Sequence, residues 1–129
     1  MSAPDAARDR AASLPIWSGP VEPEPLAGGI TNLNFVVADA GRRWLARIGG
    51  DIPEHNIVRR FELAAARAAH AAGVSPAVRH WEEGALVIEF IEGRTLQPED
   101  VRDPANLERL AELLRCCHHG IPRHYRGPA

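Results

Sequence analysis

Hydrophobic and polar positions alternate most cleanly over residues 43–48, with Trp44, Ala46 and Ile48 on one side and Arg43, Leu45 and Arg47 on the other. A period of two belongs to a strand with two distinct faces. Residues 33–39 form a β-rich run before it, and Ala40-Gly41-Arg42 supplies a tight turn between the two. Upstream, residues 21–26 alternate weakly. Pro23 and Pro25 there suit an edge strand only, because proline has no N–H for a ladder bond. The period then changes. Residues 54–72 are rich in alanine, with Ile57, Phe61, Ala64, Ala65 and Ala68 at helical spacing, and Gly73 with Pro76 beyond it marks the stop. Residues 77–81 and 85–91 read as a hairpin around Glu82-Glu83-Gly84. Residues 98–101 predict one helical turn. Residues 104–118 predict a second amphipathic helix carrying Leu107, Leu110, Ala111 and Leu114, with Pro104 at its first turn. Residues 1–20 read as a loose arm or a short helix ending at Pro15, anchored by Trp17, and residues 120–129 show no periodicity. The order is β-β-β-α-β-β-α, an α+β fold whose simplest layout is a five-stranded antiparallel sheet with one helix inserted after the third strand.

Composition narrows the function classes. The chain has 129 residues, room for one small domain with a core. Its net charge of −2 supplies no basic footprint for nucleic acid. No stretch approaches the roughly 20 apolar residues of a membrane span, and Asp5, Arg8, Asp9 and Arg10 exclude a signal peptide's apolar core at the start. The basic residues are all arginine, so a cation role usually given to lysine falls to arginine here. Adjacent Cys116 and Cys117 do not suit a disulfide, which points to a reducing cytoplasm. The cluster Cys116-Cys117-His118-His119 does not read as a metal site, because consecutive helical residues point about 100° apart.

Four segments carry candidate chemistry. In Leu26-Ala27-Gly28-Gly29-Ile30-Thr31-Asn32-Leu33-Asn34-Phe35, the glycines let backbone N–H groups approach phosphate oxygens, and Thr31 and Asn32 add side-chain donors. Taken alone, Gly28-Gly29 reads equally as a hairpin turn without a ligand. Arg47, in Trp44-Leu45-Ala46-Arg47-Ile48-Gly49-Gly50, offers a planar fork for phosphate, or simply the solvent face of a strand. Glu62 follows the core residue Phe61 and suits an inward carboxylate that orients such a cation. The other reading of Glu62 is a surface i,i+4 partner, but neither Arg59 nor Arg67 stands at that spacing. The run Leu86-Val87-Ile88-Glu89-Phe90-Ile91-Glu92-Gly93 ends a strand in a glycine turn.

Taken in order, these segments resemble the choline/ethanolamine kinase family, within the aminoglycoside phosphotransferase-like and protein-kinase-like superfamily. The resemblance implies a kinase-like N-lobe over residues 21–97 with a hinge at 89–93. Residues 1–20 would be an arm, and 98–129 a linker and the first helix of an otherwise missing C-lobe. It implies ATP as the nucleotide, held by Gly28, Gly29, Thr31, Asn32 and Arg47, with Leu45 against the adenine and Glu62 orienting Arg47. The backbone of Glu89 and Ile91 would pair with the adenine edge. The family's catalytic base, its Mg²⁺ ligands and its amino-alcohol pocket belong to the C-lobe, so the resemblance assigns no catalytic or metal residue to this chain. Such a lobe is expected to be inactive alone, to bind ATP weakly and to offer its hinge side to a separate C-lobe chain or to a second copy. The alternatives are a non-catalytic pseudokinase relic or docking subunit, and an aminoglycoside- or homoserine-kinase-type lobe.

Overall fold

A computed structural model describes residues 2–27 and 33–123. Five strands form one sheet in the order β1-β2-β3-β5-β4: β1 Glu24–Leu26, β2 Leu33–Asp39, β3 Arg42–Ile48, β4 Val78–Glu82 and β5 Ala85–Glu89. Every neighbouring pair is antiparallel. The expected α+β layout is therefore present, with β1 on the edge where its prolines cost no ladder bond.

The helix after β3 begins later than residue 54. Pro53–His55 form a single 3-10 turn, closed by Asn56 in the left-handed region (φ 57°), so the chain cannot run straight into an α-helix. The helix proper, α2, is Arg59–Ala71. It ends as expected at Gly73, whose φ of 82° allows two closing bonds, from Gly73 N–H to the His70 carbonyl and from Val74 N–H to the Ala69 carbonyl. The expected helical turn is α3, Pro98–Arg102, and α4 spans Pro104–Gly120.

Of the two forms open to residues 1–20, the helix is the one present, and it belongs to the core. Helix α1 (Ala3–Ala12) starts with a capping box between Ser2 and Asp5. Ala7, Ala11 and Leu14 are buried against Phe35, Val37, Trp44, Ala46, Ala85 and Val87, the residues on one face of β2, β3 and β5. Arg8 Nε donates to the Pro23 carbonyl at 2.8 Å, and Arg10 Nη2 reaches Glu82 Oε2 at 2.6 Å, so α1 is pinned near both sheet edges.

The connection out of α1 is fixed by an arginine. The β4 register slips between Val78 and His80, leaving Arg79 at a bulge. Its guanidinium lies over Trp44 at 4.2 Å and Trp17 at 5.2 Å, donates to the Ile16 carbonyl at 2.9 Å and pairs with Asp39 at 3.3 Å. Asp39 Oδ1 also accepts from the Ser18 hydroxyl and amide. The Ser18 hydroxyl bond is the main influence holding the Asp39 carboxyl below its usual range. Burial opposes that, and Arg79 adds to it. A depressed folded pKa contributes stability that is present above the unfolded value of about 3.9 and lost as pH falls toward the folded one. Asp39→Asn is therefore expected to lower the thermal midpoint clearly at pH 7 and much less at pH 3, which thermal melts of both chains across that range will check.

Candidate functional site

The face of the sheet opposite α1 carries the candidate site. Register fixes which side chains share it. Arg47 pairs with Asn34 on β2 and Leu86 on β5, and Leu45 pairs with Val36 and Ile88. Opposed residues of an antiparallel ladder point to the same side, so Arg47 and Asn34 sit beside an apolar strip of Val36, Leu45 and Ile88. Arg47 and Leu45 are two residues apart, about 7 Å along the strand. A cation and a flat apolar surface thus stand side by side.

Helix α2 brings Glu62 to Arg47. Arg47 Nη1 donates to Glu62 Oε1 at 2.5 Å, and the pair is partly buried. The inward position expected for Glu62 is realised. Burial alone would push its carboxyl up, but bonds and charges from Arg47 and Arg59 outweigh that and hold it below the ordinary carboxylate value. Arg47 Nε is buried without a hydrogen-bond partner among the described residues, and so is the Oδ1 of Asn34 opposite it. Buried orphans of this kind cost about 1–3 kcal/mol each unless something fills the site. Arg47, Gly49, Arg59, Glu62, Trp81, Ala85 and Leu86 line a small cleft there.

The segment after β5 is fastened to β3 by side chains. Arg43 Nη1 reaches Glu92 Oε1 at 2.6 Å, and its guanidinium lies 4.4 Å over Phe90. Phe90 N–H donates to the Arg43 carbonyl and Glu89 N–H to the Ala77 carbonyl, so these two amides belong to the sheet. Glu89 pairs with Trp44 in register, which places its side chain on the α1 face, where it meets Arg42 at 3.5 Å. Its carboxylate is thus outside the Arg47 site. The Ile91 side chain is 65% exposed. Gly28, Gly29, Thr31 and Asn32 lie outside the described residues.

The profile of the phosphotransferase enzyme family matches residues 22–124. The chain belongs to that family. No curated protein sequence matches it. Among solved structures it is similar to an ethanolamine kinase from Plasmodium vivax, with a TM-score of 0.65 and 22% identity. The match covers 78% of this chain and 27% of the ethanolamine kinase. The fold is therefore kinase-like and corresponds to the N-terminal portion of such an enzyme.

Two further residues of this site, Arg59 and Asp51, do not stand at i,i+4 from Glu62. Arg59 stands three positions before Glu62 and donates from Nη1 to Glu62 Oε2 at 2.7 Å. Asp51 accepts the Arg59 backbone N–H at 2.7 Å, at the entry to α2. Glu62 thus serves both an inward cation and a partner on its own helix. Spacing of i,i+3 was the available signal. No helix among the described residues is long and apolar enough to cross a membrane.

Proposed function

We propose that this chain is the nucleotide-binding lobe of a phosphotransferase that moves the γ-phosphate of ATP to a small amino-alcohol of the choline or ethanolamine type. The observation that carries the reading is the half-satisfied Arg47. Glu62 orients it, yet a buried N–H beside an apolar strip is left over for an anionic, flat-ringed ligand. A triphosphate fits the cation and an adenine fits Val36, Leu45 and Ile88. In this reading Gly28, Gly29, Thr31 and Asn32 cover the phosphates, and the backbone of Glu89 and Ile91 meets the adenine edge.

Acceptor binding, the base and Mg²⁺ belong in this reading to a second lobe, supplied by another stretch of polypeptide, and the lobe alone is inactive and works in the cytoplasm. Support comes from α4, which has no buried residue and leaves Leu107, Leu113 and Leu114 about half exposed. Leu107 and Leu114, seven residues apart, share a face of this helix and form an apolar stripe that a partner surface would cover.

The lobe is expected to bind ATP weakly, with a dissociation constant of about 1 mM. Ten millimolar ATP would then stabilise it by about 1.4 kcal/mol, a shift of several degrees in the thermal midpoint. No shift at that concentration, with no change in amide NMR spectra, would overturn the nucleotide reading and leave a non-catalytic docking subunit. Phosphorylation of choline or ethanolamine once a C-lobe polypeptide of the family is added tests the acceptor.

A further inference from the structure

Glu62 is shared between two arginines, and the sharing is asymmetric in a way that matters for Arg47. A free arginine–carboxylate pair tends to close into a fork of two parallel bonds. Here Oε2 is already taken by Arg59, so Arg47 holds Glu62 through Nη1 and Oε1 alone. Arg59 is itself fixed. It is 8% exposed, its Nε donates to the Gly50 carbonyl at 2.8 Å and its backbone N–H to Asp51. Gly50 lies three residues beyond Arg47 on the same chain segment, so one side chain ties the end of β3 to the first turn of α2. Neighbouring Arg60 takes no part in this arrangement, since it is exposed and lies 5.0 Å over Phe61.

We propose that Arg59 is a positioning residue for phosphate binding. By occupying one oxygen of Glu62 and the Gly50 carbonyl, it keeps Glu62 from closing on both ends of Arg47 and leaves the remaining N–H groups of that guanidinium for a nucleotide phosphate. The inference rests on the reading of Arg47 as a phosphate ligand. It does not require Arg59 to touch the nucleotide. The role belongs to this pair of elements, because Arg59 at the start of α2 reaches both Glu62 and the Gly50 carbonyl just beyond β3.

The test is an NMR titration of the full chain with ATP and, separately, with adenosine, which has the ring but no phosphate. Arg59→Gln is expected to weaken ATP binding about tenfold and leave adenosine binding within twofold. In the Glu62→Gln background the same change is expected to add little, because the residue through which it acts is gone. Arg59→Lys restores a charge on Glu62 but cannot bond Gly50 from a side-chain Nε at the same time, and should recover part of the loss. It also carries the test if the glutamine variant fails to fold. Equal losses for ATP and adenosine, or unchanged ATP affinity in a folded Arg59 variant whose Arg47→Ala counterpart has lost it, would overturn the inference alone. Failure of the unaltered chain to bind ATP removes the nucleotide reading and this inference with it.

Discussion

Replacing Arg47 by alanine is expected to weaken ATP binding roughly 10- to 100-fold, the loss of one charge-assisted bond worth about 1.5–3 kcal/mol. The fold should survive. Glu62 keeps Arg59 as a partner, so the substitution strands no buried carboxylate. It also deletes the orphaned Nε, which relieves a cost in the empty lobe. The thermal midpoint without nucleotide is therefore expected to move little, and the effect should appear almost wholly in the ATP-dependent part of the melt. Arg47→Lys should recover only a fraction, because a point charge cannot bond Glu62 and phosphate from the two edges of one plane. Equal ATP affinity in the alanine variant and the unaltered chain would remove Arg47 from the site. Glu62→Ala is the contrasting change. It leaves two guanidinium groups facing each other, so stability and binding should fall together.

How much of this was legible in the sequence depends on the kind of signal. Strict alternation from Arg43 to Ile48 fixed which side chains share a face, and the face holding Arg47 followed from it. The Arg47–Glu62 pair was expected from Phe61 beside Glu62, although Phe61 is only partly buried and the buried residues of α2 are Arg59 and Ala68. The start of α2 was not. Nothing in the alanine-rich pattern reports that Asn56 adopts a left-handed conformation and breaks the helix before Val58. Arg59 was hidden by a narrow choice of spacing, since three residues bring side chains together on a helix as well as four do. Glu89 shows the opposite limit. Its place at the end of β5 was legible, but which face its carboxylate takes depends on pairing with Trp44 across the sheet.

Removing α1 is expected to unfold the lobe, the largest stability effect of any change considered. Its sequence looks dispensable, being short, alanine-rich and charged, with only Ala7, Ala11 and Leu14 to bury. Their number understates their weight. They cover Phe35, Val37, Trp44, Ala46 and Val87, and Ile16, Trp17 and Val21 only pack in beside them. Without α1, the face meets water opposite a face whose polar site must already stay open. A sheet stripped of cover on the face that holds its main buried cluster has lost its core. Leu14→Ala alone should cost about 2–5 kcal/mol against a total of about 5–15 for an ordinary domain. That single substitution should lower the melting temperature by at least about 10 °C. A chain beginning at Pro15 should go further, with no cooperative melt, binding of the dye ANS and collapse of the near-UV signal from Trp44. A cooperative transition within a few degrees of the unaltered chain would show that the sheet supports itself. In that case α1 would be an accessory, and the site face would owe it nothing. The graded pair of variants separates those outcomes, because Leu14→Ala keeps α1 and removes only the buried leucine that follows it.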